Sequence, residues 1–292
     1  MVSTPVRAAL RGAVVGGGTM GVGIAYVMAT HGLRTTVVEP SAERVRALRD
    51  EVDAALAGGV ARGRLDEARA DAVREGLVVV GSVEDLPVGL DVIVESVPER
   101  ADLKAAVLAA AEALAPRLLA TNTSSMSVDA LAAPLAHPER FCGLHFFNPV
   151  WSIGLVEVVR GARTGAESLA LALDLVGAMG KESAVVNDSP GFATSRLDLT
   201  LALESIRMLE EGVAAAEDID RAVRLAYRHP VGPLTLSDIV GLDVRLDISR
   251  QLEVSLGPRF APPRLLEEMV AEGRLGRKSG RGFFDWSEGE RS

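Results

Sequence analysis

Short apolar runs alternate with helical patterns over the first two thirds of the chain. From residue 12 to about 187, the runs have the length of strands, and the segments between them carry apolar residues at helical spacing. Repeated units of this kind predict an α/β domain with a mostly parallel sheet. The predicted strands are Ala13–Val15, Thr35–Val38, Leu77–Val80, Val92–Val94 and Leu118–Thr121, which we expect to be buried, followed by Phe141–Phe147, Leu155–Val159 and Ala184–Val186.

A long, charged helical segment separates the second and third predicted strands. Residues 41–75 are rich in arginine and acidic side chains, and their pattern is interrupted near Gly58-Gly59. The segment is longer than the crossover between two parallel strands requires. We therefore expect an inserted helical hairpin that projects from the domain.

The pattern changes after residue 187. Asp188 or Ser189 can cap a helix, Pro190 suits a first helical position, and Phe192 to Glu211 follow at helical spacing until Gly212. Further helices are expected from about 217, 237 and 263, and a short strand at Gly282-Phe-Phe-Asp285. The sequence thus predicts two domains, an α/β domain over 1–187 and an all-helical domain over 188–292.

Composition limits the classes of protein that the chain can represent. Its 292 residues suit two domains, and 48% hydrophobic with 24% charged residues is ordinary for a globular protein. A net charge of −9 argues against binding nucleic acid, and the single cysteine, Cys142, fits a reducing compartment. No apolar stretch has the length of a membrane span, and no charged-then-apolar leader precedes the first strand. We expect a cytoplasmic protein that binds neither nucleic acid nor membrane.

A glycine motif follows the first predicted strand. Gly16, Gly18 and Gly21 form G-x-G-x-x-G: the first allows a tight turn, the second a close approach to a pyrophosphate, and the third close packing of helix on strand. Thr19 and Met20 open the helix, whose free N–H groups face the phosphates. This order of strand, turn and helix predicts a Rossmann-type dinucleotide-binding domain. The alternative is a glycine-rich turn in another kind of α/β protein.

The second predicted strand ends in a carboxylate about twenty residues after the glycines. Glu39 stands where this fold places an acceptor for the adenosine-ribose hydroxyls, and its charge would repel a 2′-phosphate. Arg44 is the nearest basic residue that could receive such a phosphate. The sequence therefore favours NAD over NADP, unless Glu39 merely caps the following helix.

Polar groups interrupt three apolar segments. Thr121-Asn-Thr-Ser-Ser125 directly follows a strand, His145 lies in an aromatic run, and Glu157 lies inside an apolar strand. A buried carboxylate is costly unless it is paired, and His145 is the partner we expect for Glu157. Such a pair fixes one tautomer of the imidazole and suits general base catalysis at an alcohol. A purely structural buried pair is the alternative.

The remaining candidates for chemistry lack such partners. His31 follows the first helix, and His137 and His229 precede prolines, so structural roles are expected for all three. Cys142 is expected to be a packed small side chain rather than a nucleophile. No His/Cys cluster has metal-ligand spacing, and we predict no metal.

A series of motifs lies in order along nearly the whole chain: Gly16-Gly-Gly-Thr-Met-Gly-Val-Gly-Ile-Ala25, Asn122-Thr-Ser-Ser125, His145-Phe-Phe-Asn-Pro149, Leu155-Val-Glu-Val158, Ser189-Pro-Gly-Phe192, Val231-Gly-Pro233, Asp238-Ile-Val-Gly-Leu-Asp243 and Gly276-Arg-Lys-Ser-Gly-Arg-Gly-Phe283. With these motifs the chain resembles the L-3-hydroxyacyl-CoA dehydrogenase family. In length the chain is similar to the short 3-hydroxybutyryl-CoA dehydrogenases of that family. The combination of motifs is far more specific than any one of them.

The resemblance implies roles for individual residues. His145 would be the general acid/base, Glu157 its orienting carboxylate, and Ser124 a hydrogen-bond partner of the reacting substrate oxygen. Arg62, in the hairpin, falls where the family carries a basic residue for the coenzyme A phosphates, although a solvated surface charge is an equal alternative. Contacts with the dinucleotide are implied for Glu99, Lys104, Asn148 and Lys278, besides Ser124, the glycine turn and Glu39.

Two departures from the family pattern concern the substrate. Ser195 stands where the family carries an asparagine that holds the substrate near the nicotinamide, and serine is shorter. Trp151 lies in Val150-Trp-Ser-Ile-Gly154, a segment that differs from the family's commoner residues and that we expect to line the acyl pocket. Both departures leave the acyl group open.

The activity that follows is the reversible, NAD-dependent oxidation of a (3S)-3-hydroxyacyl thioester to the 3-oxoacyl thioester, in fatty acid metabolism. The acyl group is expected on coenzyme A, with a carrier protein as an alternative, and the enzyme is expected to be a homodimer. Two other functions stay open. One is a sugar-acid 3-dehydrogenase of the gulonate or lens-crystallin kind, and the other is a weakly active NAD-binding protein.

Overall fold

A computed structural model describes residues 10–287 of the chain. The chain divides into two compact units, with the division between Ser189 and Pro190. Each unit has its own hydrophobic core. None of the helices in the described range combines the length and apolar character needed to cross a membrane.

The first unit is built on one eight-stranded sheet. Its strand order is β3-β2-β1-β4-β5-β6-β7-β8, and every neighbouring pair is parallel except β6 and β7. The central strands are apolar and buried on both faces, as parallel strands covered by helices must be. The strands are β1 (Arg11–Val15), β2 (Arg34–Val38), β3 (Val78–Val80), β4 (Val92–Glu95), β5 (Leu118–Thr121), β6 (Phe141–His145), β7 (Leu155–Arg160) and β8 (Glu182–Asn187).

All eight strands form where the sequence predicts strands, but the expectation of burial is wrong for β3. Val78 is 51% exposed, because β3 is an edge strand with a neighbour on one side only. A short apolar run does not reveal whether its strand lies at the centre or at the edge of a sheet. Six helices accompany these strands: α1 (Thr19–Thr30), α2 (Ala42–Ala61), α3 (Glu67–Gly76), α4 (Ala101–Glu112), α5 (Val128–Ala132) and α6 (Ala166–Ala178).

Helices α2 and α3 form the inserted hairpin, with two differences from the sequence-based expectation. The α2 helix continues through Gly58-Gly59 to Ala61, and the turn follows at residues 62–66. Leu48, Val52 and Leu56 on α2 are buried in the main core of the unit. The hairpin therefore packs along the domain instead of projecting from it, because its spaced apolar residues form one buried face.

The second unit is helical. Its first helix begins at Thr194 rather than after Pro190, because Gly191 and Phe192 have φ values of +74° and +47°, outside the helical region. Asp188 does not cap this helix: its carboxylate accepts hydrogen bonds from Ser127 Oγ and the Asp129 N–H at the start of α5. The helices are α7 (Thr194–Glu210), α8 (Ala216–Tyr227), α9 (Pro233–Val240), α10 (Leu242–Leu256) and α11 (Arg264–Ala271).

Glycines and one buried carboxylate organise the rest of this unit. Gly212, with φ +71°, follows the end of α7 as predicted. The single helix expected from about 237 is instead two helices, α9 and α10, separated by Gly241 at φ +107°. The strand expected at Gly282–Asp285 is reduced to isolated bridges, because Asp238 accepts the N–H groups of Phe283 and Phe284, which otherwise could join a ladder.

Candidate active site

A large cleft of the first unit lies at the carboxyl ends of its parallel strands. It has a volume of about 940 Å³ and is lined by segments that follow β1, β2, β4, β5 and β6. Ligands bind at this edge of open α/β sheets. At the point where the strand order reverses, the connections after two neighbouring strands lead to opposite faces of the sheet and leave a crevice. The lining includes Gly16–Met20, Glu39, Ser96–Glu99, Asn122 with Ser124, and His145–Asn148.

The glycine turn after β1 has the geometry that each glycine was predicted to supply. Gly16 has φ +110°, and a Cβ on Gly21 would lie 1.8 Å from the Gly16 carbonyl oxygen. At Gly18 a Cβ would meet no atom within 4 Å, so this backbone is open to the cleft. Gly18 also precedes α1 without a side-chain cap. Thr19 and Met20 line the cleft beside it, and this open, uncapped helix start fits a pyrophosphate.

Glu39 lies at the end of β2, on the wall of the cleft. Its Oε2 accepts a hydrogen bond from the Gly17 N–H at 3.1 Å, and its Oε1 accepts one from the Ser41 N–H at 2.9 Å. The carboxylate therefore joins the glycine turn to the start of α2. Ser41 Oγ, rather than Glu39, caps α2 by accepting from the Arg44 N–H.

Glu99 and Ser124 are joined across the cleft floor. Glu99 Oε1 accepts the Ser124 N–H at 3.0 Å, and Glu99 Oε2 accepts the Thr123 hydroxyl at 2.9 Å. The side chain of Glu99 thus fixes the turn that presents Ser124. This contact was not foreseen from the sequence, where the two residues lie on separate motifs.

Lys104 does not line the cleft. Its side chain is 1% exposed, and its Nζ donates to both carboxylate oxygens of Glu95, at 2.8 and 3.0 Å, and to the Val97 carbonyl. This buried ion pair favours a structural role for Lys104 over direct contact with a dinucleotide. Glu95, which also accepts the Thr121 hydroxyl at 2.6 Å, was missed by the sequence analysis. A carboxylate that ends the apolar run Val92-Ile-Val-Glu95 was the available signal.

His145 and Glu157 form the buried pair that the sequence predicts. They face each other in register on the antiparallel strands β6 and β7, with His145 Nδ1 2.8 Å from Glu157 Oε2. Glu157 is 0% exposed, while His145 retains 6% and lines the cleft. This contact directs Nδ1 to the carboxylate, so Nε2 is the ring nitrogen on the side away from it.

Neighbouring groups hold the backbone and the ring of His145. Asn122 Oδ1 accepts the Phe146 N–H at 2.9 Å, and the ring of Phe147 lies 4.5 Å from the imidazole, centroid to centroid. Asn148, exposed in the cleft, precedes a cis peptide bond to Pro149. Cys142 is buried three residues earlier, and burial raises the pKa of its thiol to about 12, which suits a packing role and not a nucleophile.

Arg62 and Trp151 lie together, away from His145. Both line a separate cavity of about 340 Å³ on the first unit. The Trp151 ring packs edge-to-face on Tyr26 at 5.9 Å. Burial raises the pKa of the Tyr26 hydroxyl, and the positive charges of Arg62 and Arg64 partly oppose that rise. Trp151 thus lies beside the basic turn of the hairpin, and its role in an acyl pocket stays a prediction.

Ser195 and Lys278 belong to the second unit. Ser195 is the second residue of α7 and is half-buried. Lys278 Nζ lies 2.5 and 2.6 Å from the two carboxylate oxygens of Asp243, which forms an exposed ion pair within this unit. Their roles toward substrate and dinucleotide stay predictions.

Comparisons with known proteins agree along the whole described chain. The family model of the 3-hydroxyacyl-CoA dehydrogenase NAD binding domain matches residues 12–189, and that of the 3-hydroxyacyl-CoA dehydrogenase C-terminal domain matches residues 191–286. The chain is 40% identical to a 3-hydroxyadipyl-CoA dehydrogenase of Escherichia coli over 94% of its own length and 58% of that longer protein.

Relatives of similar length give the same result. A 3-hydroxybutyryl-CoA dehydrogenase of Mycobacterium tuberculosis is 37% identical, over 94% of this chain and 97% of the relative. The crystal structure of (S)-3-hydroxybutyryl-CoA dehydrogenase from Ralstonia eutropha superposes with a TM-score of 0.90 at 36% identity, covering 95% of this chain and 99% of that one. The glycine turn, the NAD-binding domain and the agreement over both units together show that the chain belongs to the 3-hydroxyacyl-CoA dehydrogenase family.

Proposed function

We propose that the protein catalyses the reversible, NAD-dependent oxidation of a (3S)-3-hydroxyacyl-CoA to the 3-oxoacyl-CoA, with a short acyl chain such as 3-hydroxybutyryl. The observation that carries the proposal is the His145–Glu157 pair, which opens into the cleft that also contains the glycine turn. A general base and a dinucleotide site in one crevice are what oxidation of an alcohol requires. The names of the relatives support a thioester as the substrate.

His145 is the proton acceptor in the proposed reaction. The bound nicotinamide supplies the hydride acceptor. His145 Nε2 takes the proton of the substrate hydroxyl, and in reverse the imidazolium returns it to the oxygen. Glu157, fully buried at 2.8 Å, stabilises the positive charge that His145 gains.

Ser124 is proposed to hydrogen-bond the reacting oxygen of the substrate. It lies exposed in the same cleft as His145, and Glu99 holds its backbone at 3.0 Å. A hydroxyl fixed in this way can donate to an oxygen as negative charge develops on it. Ser195 is proposed to take the place of the family's asparagine toward the substrate.

Coenzyme A recognition is assigned to the hairpin. The guanidinium of Arg62 stands at the turn between α2 and α3, and the neighbouring cavity is also lined by Arg64 and Lys181. Concentrated positive charge on a chain of net charge −9 suits the phosphates of coenzyme A. A carrier-protein thioester would present fewer phosphates to this site.

The assembly and the location of the protein are also proposals. We propose a cytoplasmic homodimer formed through the second unit. Exposed apolar side chains of this unit support an interface: Leu197 is 68%, Leu225 75% and Val254 90% exposed. Sedimentation of the purified protein tests the dimer.

One assay tests the proposed activity. We expect NADH consumption with acetoacetyl-CoA, followed by absorbance, and no NAD reduction with L-gulonate. Acetoacetyl groups on a carrier protein serve as the comparison for thioester choice. Activity with L-gulonate and none with acetoacetyl-CoA would instead identify a sugar-acid dehydrogenase, and binding of NADH without turnover would identify a weakly active NAD-binding protein.

A further inference from the structure

Arg44 is the only arginine or lysine among the described residues that line the large cleft. It lies in the first turn of α2, near Glu39, at the end of the cleft expected to receive the adenosine ribose. A free guanidinium at this position would bind the 2′-phosphate that distinguishes NADP from NAD. The choice of dinucleotide therefore depends on whether Arg44 is available.

The guanidinium of Arg44 is committed to other groups. Its Nε donates to the Gly17 carbonyl at 2.5 Å, and its two terminal nitrogens donate to the two carboxylate oxygens of Glu51, at 2.6 and 2.8 Å. Glu51 stands seven residues later on the same helix, so the two side chains share one face over two turns. The guanidinium holds the pKa of Glu51 below its usual value, so the ion pair is present at neutral pH.

The same contacts hold the glycine turn. Both backbone polar groups of Gly17 are hydrogen-bonded: its N–H donates to the Glu39 carboxylate, and its carbonyl accepts from Arg44 Nε. The guanidinium of Arg44 thus contacts the glycine turn through Nε and Glu51 through its two terminal nitrogens. The local charge from Glu39, Arg44 and Glu51 is net negative, which opposes an additional phosphate.

We propose that Glu51 determines the preference of this enzyme for NAD over NADP, by holding Arg44 in a bidentate ion pair. Glu51 does not line the cleft and acts through Arg44, whereas Glu39 lines the cleft itself. The inference rests on the dinucleotide site of the proposed function. It makes the choice of dinucleotide depend on a residue two helical turns after Arg44, in addition to the acidic residue Glu39 at the end of β2.

Fluorescence titration of the full-length protein with NADH and NADPH tests this role without an acyl substrate. Glu51→Gln keeps the size of the side chain and removes its charge, and Glu51→Ala removes the bond as well. We expect NADPH to bind about three- to fivefold more tightly to both variants, the scale of one charge contact at a partly exposed site. The dissociation constant of NADH should change less than twofold, which also shows that the variants fold.

Two further variants separate this role from a general change of charge. Asp50→Asn makes the same change of charge one residue earlier on α2, where Asp50 is exposed and points to another side of the helix. It should leave both titrations unchanged. In Glu51→Ala combined with Arg44→Ala, the gain for NADPH should disappear, because no guanidinium remains to bind the phosphate.

The outcomes are distinct. Unchanged NADPH affinity in the Glu51 variants, an equal gain in Asp50→Asn, or a gain that persists without Arg44 would each overturn the proposal. Failure of the unsubstituted protein to bind NADH would overturn both this inference and the proposed cofactor site. Normal titrations together with absent thioester turnover would contradict only the proposed substrate.

Discussion

His145 and Glu157 are directly opposite each other on β6 and β7, the antiparallel pair of an otherwise parallel sheet. Cross-strand partners place their side chains on the same face, so the strand register itself brings the imidazole to the carboxylate. A slip of one residue would move Glu157 to the other face of the sheet. The antiparallel strand β7 is therefore part of the catalytic arrangement that we propose, besides completing the sheet.

Replacement of His145 tests the proposed general base. We expect His145→Gln to lower turnover roughly 10²–10⁴-fold, the usual effect of losing a proton acceptor. NADH binding should be nearly unchanged, because the glycine turn and Glu39, which are proposed to hold the dinucleotide, are left intact. Fluorescence titration and steady-state kinetics measure the two effects, and turnover within tenfold of the unsubstituted enzyme would rule out the proposed base.

Replacement of Glu157 tests the orienting carboxylate. Glu157→Gln keeps the shape but removes the charge that stabilises the imidazolium, so turnover should fall while the KM for the thioester changes little. Glu182→Gln, a change of the same kind at an exposed position on β8, is the control and should leave turnover and KM unchanged. Equal kinetics for both variants would mean that the buried pair is only structural.

Replacement of Glu39 tests recognition of the ribose. Without the carboxylate, repulsion of a 2′-phosphate is lost together with the acceptor for the hydroxyls, so Glu39→Ala should weaken NADH binding and narrow the gap between NADH and NADPH. The ratio of kcat/KM values for the two dinucleotides is the measurement. Equal efficiency with both in the unsubstituted enzyme would already exclude this role.

Ser195 is the most informative position for the identity of the substrate. If its hydroxyl contacts the substrate directly or through one water, Ser195→Ala should cost the equivalent of about 0.5–1.5 kcal/mol in kcat/KM. Ser195→Asn restores the family residue and should be tolerated or should improve turnover of short acyl-CoA substrates. If the pocket has instead been rebuilt for another acyl group, asparagine should impair the native reaction.

Kinetics with C4, longer and branched acyl-CoA substrates distinguish these cases for Ser195. An improvement confined to C4 would indicate that serine simply replaces asparagine, and a loss on a longer or branched substrate would indicate a rebuilt pocket. Unchanged kinetics on every substrate would show that residue 195 does not face the substrate.

Asp238 is expected to stabilise the second unit. Its buried carboxylate accepts three hydrogen bonds, from the Phe283 and Phe284 N–H groups and from Trp286 Nε1. Asp238→Asn replaces one of the two carboxylate oxygens with an NH₂ group, which cannot accept a hydrogen bond from these N–H donors. At least one buried donor then lacks an acceptor, so the free energy of unfolding should fall by about 1–3 kcal/mol. Asp247→Asn, at an exposed position on α10, is the matched control in chemical denaturation.

The sequence by itself determined the local elements and the chemistry of separate segments. Eight apolar runs became eight strands, the glycine motif formed the turn it predicts, and Glu157 inside an apolar strand called for a partner such as His145. These features depend on spacing, burial and backbone conformation within a few residues. Such local properties can be derived without knowing the fold.

Only the tertiary structure decided which distant side chains meet. The pairing of Lys104 with Glu95, the hold of Glu99 on Ser124 and the ion pair of Arg44 with Glu51 depend on strand order and side-chain rotamers. The loop after β6 lines the cleft with Phe146–Asn148 and then brings Trp151 onto the ring of Tyr26, a contact that its sequence motif does not reveal. The sequence pattern indicates which buried polar residues need a hydrogen-bond or ion-pair partner, but the packing of the folded chain decides which residue that partner is.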